Sequence, residues 1–546
     1  MTGSLALLWL CLVWGVGSHL VSEAYDGRGP GFLVRVLSAR RDFVPVDHYL
    51  GRVRLLALGG AFVLVGGVAL VAALLRDARQ GSPLARRVVL PASATSLAGI
   101  RVGTCAVSLL SVLVEAPAST AGLPGFSVLP PGMGSMGIVR NLPGMNALLS
   151  SGSALLALKL VCVAALVAAL LGAWTRLALP LAFVTAVLLG GVLRMYTHFF
   201  HTGLLCVYLL GVLAFSPCAD AWSVDARRRR RAGLPVAEPE AASLRYGFPR
   251  FACWAVIGLT YFAAATSKVR HGGIGWWDGV NLKAKILGDA LQVGSFDFPF
   301  LPLIGATPVF VFSLMGIATL LVEGGMILVP FSAWARRLLP LGVMGLHLGI
   351  FLAQEILFLD LILIQLVFFD HRRWLTPLAS WAERRFSAWL GAGPAAPVAD
   401  TSRPGVMTAF ALVPLVYVCT IALDTELYPL TTWSMYSDRT TSSVVDYVLV
   451  SGRDASGRTL PVRLEDTFRV FRLSRDFDVI PLAFKPEARG DLERTLDVYA
   501  RAYNRDKPAE QRLMSVHFEK RSVDFATQPI HTAAGAVVDR FVYEPR

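Results

Sequence analysis

The chain has 546 residues, 55% of them hydrophobic and only 16% charged, a balance that a water-exposed globular surface does not supply. Its net charge of +13 comes from 51 Lys+Arg against 38 Asp+Glu. The arginines gather between apolar stretches, as at Arg227 to Arg231, so they mark membrane topology, and no nucleic-acid partner is expected. The seven cysteines lie in or beside apolar segments with no CxxC pair, which leaves neither a disulfide framework nor a zinc module.

Apolar runs of the length that crosses a bilayer, about 17–25 residues, fall at 4–20, 55–75, 97–114, 153–174, 177–195, 199–217, 249–267, 305–330, 338–354, 355–370 and 405–424. Residues 4–17, with small residues before Tyr25, fit either a secretory signal peptide or an uncleaved helix, and the lack of a preceding positive charge favours the helix. Thr175 with Arg176, and Gln354 with Glu355, mark tight reversals between antiparallel helices. The stretch 339–370 fits either two spans or one long helix followed by a re-entrant piece. Residues 443–450 and 459–464 read as a hairpin, 486–503 as a helix, and 536–543 as a strand. The expected fold is an all-α polytopic membrane helix bundle of about 9–11 spans with a small C-terminal α+β domain.

Short connections rich in Lys and Arg resist export, which places 76–96, Arg176, Arg227 to Arg231, Arg336 with Arg337, and Arg372 with Arg373 in the cytosol. The alternation then puts 268–304 and everything after 425 on the extracytosolic side of the cell membrane. Loop 21–54 conflicts with this count, since Arg28, Arg35, Arg40, Arg41, Arg52 and Arg54 are separated from the cytosolic 76–96 loop by one apolar run. Either 55–75, interrupted by Gly59-Gly60 and Gly66-Gly67, is re-entrant, or that loop is exported despite its charge. The division expected is 1–94 as extra membrane segments with basic loops, 95–375 as the main membrane domain, 376–404 as a cytosolic linker, 405–424 as the last span and 425–546 as the soluble domain.

Ionisable groups at membrane depth are costly and mark function or helix pairing. They are Lys159, Arg194, His198, His201, Lys268, Glu323, His347, Glu355 and Asp360. Lys159 and Arg194 sit near helix ends and read as snorkelling side chains. His198 and His201 share a helical face, but no third ligand at metal spacing accompanies them, so no metal is expected. Lys268 ends an apolar span just before Trp276-Trp277. An amine at that boundary loses hydration and favours the neutral, proton-accepting form; an ordinary interfacial lysine beside a tryptophan belt is the bland reading. Glu323 stands in an otherwise apolar helix and needs a partner, for which His347 is the candidate. Gly-rich 131–137 lacks the strand-turn-helix context of a phosphate loop and reads as turns.

Several of these elements occur in a familiar order. Tyr261-Phe262-Ala263-Ala264-Ala265-Thr266-Ser267-Lys268 precedes Trp276-Trp277-Asp278-Gly279. Arg101 opens a helix, His201 leads through Ser216-Pro217 to Trp222-Ser223-Val224-Asp225, and His347 starts a stretch ending in Phe368-Phe369-Asp370. Over residues 95–375, with Trp433-Ser434-Met435-Tyr436-Ser437 after the last span, the chain resembles vitamin-K-dependent γ-carboxylase and its bacterial relatives, the HTTM-domain proteins. The resemblance implies a shared membrane fold and a reduced quinone, vitamin K-like, as cofactor. It implies Lys268 as the base that deprotonates the quinol before oxygen adds and a glutamate is carboxylated. Of the family's two adjacent lysines the first is Ser267 here. The family histidine matches His201 by its distance to the Trp-Ser-Val-Asp element and His198 by its distance to Gly203-Leu204-Leu205. Two extra apolar segments precede Arg101, and the C-terminal domain is smaller than the carboxylase's substrate-holding region. Two functions therefore compete: a quinol-oxygenating enzyme using Lys268 with His201 or His198, and a non-enzymatic membrane protein for export or maturation of a secreted protein client, in which the intramembrane polar groups join helices.

Overall fold

In the computed structural model of the chain, the residues described are 2–38, 45–80, 82–122, 144–194, 201–291, 298–369, 377, 381, 404–424, 428–462, 483–484, 489–528, 530 and 535–545. Among them, eight helices are long and apolar enough to cross a membrane: α1 (Gly3–Tyr25), α2 (Val46–Arg79), α3 (Ala94–Val114), α4 (Gly152–Leu171), α5 (Thr175–Leu193), α8 (Leu244–Gly272), α10 (Val309–Leu328) and α11 (Ala333–Gln354). Three shorter apolar helices, α6 (Leu204–Ala214), α12 (Leu359–Phe368) and α13 (Met407–Ala422), fill the remaining runs. Two polar connectors are helical as well, α7 (Val224–Arg231) and α9 (Gly279–Ala290). The chain thus reads as an integral membrane protein.

Serines start many of these helices: Ser93, Ser151, Ser223, Ser243 and Ser332 each accept a backbone N–H from the first turn. The α4–α5 reversal is made by left-handed Gly172 and Trp174. Asp225, from α7, locks it by accepting the Trp174 and Thr175 amides at 2.9 and 2.8 Å. Glu355, also left-handed, ends α11. At 10 residues α12 is too short to cross a bilayer at 1.5 Å per residue, so the stretch 339–370 is one long helix followed by a short piece.

The N-terminal ambiguity also resolves. Residues 46–79 are one unbroken helix, so 55–75 is not re-entrant. Its glycine pairs are contact surfaces: a Cβ on Gly59 would stand 1.9 Å from Leu423, one on Gly60 2.2 Å from Trp9, and Gly66 and Gly67 face Leu415 and Leu412. Small residues let α1, α2 and α13 approach closely. Arg52, at the start of α2, donates to the Asp424 carbonyl at 3.0 Å, beyond the far end of α13 from Met407. The described residues of loop 21–54 therefore lie at the opposite end of α2 from Arg76 and Arg79.

Helix α8 is the most buried of the eight spans and forms the axis of the bundle. Close contact is again made by glycine, since a Cβ on Gly258 would meet the Met326 carbonyl oxygen at 2.5 Å. Near the other end of the molecule's axis, fully buried Arg101 on α3 donates to the Cys218 and Trp222 carbonyls at 2.7 and 2.5 Å, pinning the turn that leads into α7.

Beyond the last span lies an antiparallel sheet of β1 (Val444–Asp454), β2 (Thr459–Pro461), β3 (Leu513–Asp524) and β4 (Ala536–Tyr543), in the order β2-β1-β3-β4. The expected hairpin, helix (α14, Arg489–Asn504) and final strand are present, with the hairpin turn displaced to Ala455–Arg458 by the longer β1. Central β3 was not expected. Leu492, Leu496 and Tyr499 of α14 join the same buried cluster as Val516 and Phe518 of β3. On the opposite side Val445, Tyr447 and Val523 pack with Ile286 and Leu287 of α9. The sheet is therefore seated on α9, next to the end of α8.

Candidate functional site

At the C-terminal end of α8, residues 261, 264 and 268 recur at helical spacing and present one face. Three other elements converge on it: α10 with Glu323, α11 with His347, and the segment 433–436 after the last span. Together they line a cavity of about 300 Å³, predominantly apolar, whose polar groups include Lys268, Glu323, His347 and Tyr261. That is a small-molecule site in size and character.

Lys268 Nζ lies 3.0 and 2.9 Å from the two carboxylate oxygens of Glu323, and both residues are buried. The ammonium also sits 5.4 Å from the centre of the Trp276 ring. Glu323 thus finds its partner in Lys268, not in His347 as the sequence led one to expect. A buried pair of this kind offsets the desolvation of each member and costs heavily when one is removed.

His347 joins Tyr261 instead, with Nε2 3.2 Å from the phenol oxygen. Gln365 of α12 donates its amide to that same oxygen at 3.2 Å. The Tyr261 hydroxyl is then free to donate to Nε2, and in the tautomer that accepts it the ring proton of His347 is on Nδ1. Nδ1 is buried and has no hydrogen-bond partner among the described residues, which leaves one N–H donor in a residue that lines the cavity.

Three residues of Trp276-Trp277-Asp278-Gly279 have a structural task. Trp276 is a cavity wall and donates Nε1–H to the Tyr436 carbonyl at 2.7 Å. Asp278 caps α9 through the Val280 amide at 3.0 Å. Gly279 passes so close to α10 that a Cβ would stand 2.1 Å from the Val309 carbonyl oxygen. From the other strip, Trp433, Met435 and Tyr436 line the cavity, and Tyr436 Oη donates to Asp289 of α9 at 2.9 Å.

The remaining ionisable groups are placed elsewhere. His201 is buried behind Trp433, ring stacked on ring at 4.5 Å, and is not among the residues lining the cavity. His198 lies outside the described residues. Asp360 accepts the Gly203 amide at 2.7 Å, and Glu355 accepts the Phe298 amide at 2.9 Å. Lys159 does not simply reach for water: its ammonium donates to the Leu113 and Glu115 carbonyls at the end of α3. Arg194 donates to the Gly190 and Thr202 carbonyls. Among the described residues no three His, Cys, Asp or Glu side chains gather as metal ligands.

Sequence reasoning reached Lys268, Glu323, His347 and the two tryptophan strips, but not Gln365 or the glycine wall of α11. A lone amide inside the apolar run 355–370 was the available signal for Gln365. Gly345 and Gly349 line the cavity, and a Cβ on either would meet nothing within 4 Å. The chain matches no family model, no curated protein and no solved structure.

Proposed function

We propose that the chain is a membrane enzyme of the HTTM, γ-carboxylase-like kind, which binds a reduced quinone in the cavity at the end of α8 and uses Lys268 as its base. The observation that carries this reading is the meeting of Lys268 and Glu323 in the wall of an apolar cavity lined also by His347. An ion pair needed only to join helices has no reason to border such a space. Bound there, a reduced quinone supplies ring hydroxyls and the electrons for reaction with oxygen. The chain's own part is to hold the ring among Trp276, Trp433 and Met435 and to donate from His347 Nδ1 to a ring oxygen. Glu323 takes the lysine proton, so that Nζ offers a lone pair to a ring hydroxyl. By the charge of the connecting loops, the cavity and the C-terminal sheet face the extracytosolic side.

The test is oxidation of added vitamin K hydroquinone by the purified full chain in mild detergent, with mass spectrometry of co-extracted lipids. Wild type is expected to retain a quinone and to oxidise the quinol, and Lys268→Ala, whose stranded Glu323 lowers the yield of folded protein, to lose turnover per folded molecule. Unchanged turnover in that variant overturns the proposal.

One observation favours the client reading: β4 is an edge strand in the described sheet, with Val537 and Val538 exposed, the kind of edge that a second chain can extend. Deleting 425–546 does not separate the two readings, because Trp433 and Tyr436 belong to the cavity. Val538→Lys does, since it blocks edge pairing and leaves Lys268 untouched.

A further inference from the structure

A second and larger cavity, of about 1180 Å³, opens at the far end of the bundle, where Phe248 stands about 30 Å from Lys268 along α8 at the helical rise per residue. Its floor is apolar and comes from helices distant in sequence: Leu177 and Pro180 of α5, Phe215 after α6, Phe248 of α8, and Met407 and Phe410 of α13. Leu177 and Phe215 are 74% and 78% exposed, so the slot opens sideways at a surface that lipid covers. Its rim carries Arg176, Arg228, Arg229 and Arg245 against Asp220 and Asp225.

The two aspartates are already committed. Asp220 pairs with Arg229 at 3.0 Å and Arg245 at 2.9 Å and accepts the Tyr246 hydroxyl at 3.0 Å. Asp225 accepts the Trp174 and Thr175 amides and the Thr175 hydroxyl. Burial pushes its carboxyl up, but those hydrogen bonds and the charge of Arg228 outweigh it and hold the group below its usual range. Arg176 and Arg228 are exposed and in no ion pair among the described residues; Arg228 lies over the Trp174 ring at 4.7 Å. Two guanidinium groups thus stand at the mouth of an apolar slot that ends at the membrane surface. Guanidinium binds phosphate oxygens in a planar fork, and the slot beneath takes a hydrocarbon chain.

We propose that this cavity binds an anionic phospholipid, its phosphate held by Arg176 and Arg228 and an acyl chain laid along Leu177, Pro180 and Phe215. Because Met407 and Phe410 form part of the floor, the bound lipid ties the start of the last span to α5 and α8.

The test uses the full chain in mild detergent, measured by native mass spectrometry and thermal unfolding with added phosphatidylglycerol, phosphatidylcholine or inorganic phosphate. Wild type is expected to retain phosphatidylglycerol about tenfold better than phosphatidylcholine, as expected for two basic side chains at a lipid headgroup. Its unfolding midpoint should rise with phosphatidylglycerol alone. Arg176→Gln with Arg228→Gln should abolish that preference, while the charge-matched pair Arg227→Gln and Arg230→Gln, outside the cavity, should keep it. If the double variant does not fold, Arg176→Gln alone must still weaken the preference severalfold. Equal retention of both lipids, the same stabilisation by inorganic phosphate, or an equal loss in the control pair overturns the proposal.

Discussion

Lys268 and Glu323, from helices 55 positions apart in sequence, meet through both carboxylate oxygens at 3.0 and 2.9 Å, and each is 6% exposed. Removing one member strands the other. Lys268→Met alone is expected to cost about 3–5 kcal/mol, whereas Lys268→Met with Glu323→Leu should restore most of that loss, because apolar replacements of a buried pair are near neutral. Thermal unfolding of the two single variants and the double checks it. Quinol oxidation should be absent in all three, so that stability returns and activity does not.

The glycines of α11 and α9 predict opposite outcomes. Nothing stands within 4 Å of a Cβ at Gly345 or Gly349, so Gly345→Leu should be tolerated or stabilise by up to about 1 kcal/mol through helix propensity, yet fill the cavity and abolish quinone retention. Gly279→Ala drives a methyl into the Val309 carbonyl and should cost about 1–3 kcal/mol by overpacking. Unfolding midpoints and extracted-lipid mass spectra separate the two effects.

The histidines make a third comparison. His347→Phe keeps the ring and removes the Nδ1 donor, so quinone affinity should fall about tenfold, the worth of one hydrogen bond. His201→Phe preserves the stack on Trp433 and should leave affinity within about twofold, since such a stack rests on ring area. Titration by tryptophan fluorescence quenching reads both. Equal losses would put His201 in contact with the ligand.

Acid should loosen the C-terminal sheet before the bundle. The Lys520 ammonium beside Asp446, and the Arg521 guanidinium beside Glu519, hold these carboxyls below their ordinary 3.8 and 4.5. Groups lowered in the folded state contribute stability that is present above the ordinary value and lost as pH falls through the folded one. Pepsin cleavage within 444–524, normalised to an unstructured peptide, should therefore accelerate as pH drops below 4.5. Asp446→Asn should flatten that dependence.

The spans were legible because hydrocarbon thickness imposes a length on any apolar run, and every run proposed became a helix. Short α6 and α12, of 11 and 10 residues, show where composition alone overstates crossing. Strand β3 was hidden because Glu519, Lys520 and Arg521 interrupt its alternation, and their partners Arg540, Asp446 and Glu519 come from flanking strands or from β3 itself. Lys268 could be singled out, but its partner could not: the sequence paired Glu323 with His347, whereas helix rotation turns Glu323 to Nζ and His347 to Tyr261. The glycine pairs of α2 were misleading for the same reason, since a glycine that breaks a helix and one that admits a neighbour are identical in sequence.

The hydrogen bond from Trp276 to the Tyr436 carbonyl sets an order of events during synthesis. The strip holding Tyr436 follows the last span, so a nascent chain can insert α8, α10 and α11 and pair Lys268 with Glu323 while one wall is still missing. The cavity acquires its closing wall, Trp433, Met435 and Tyr436, only when the chain has passed α13.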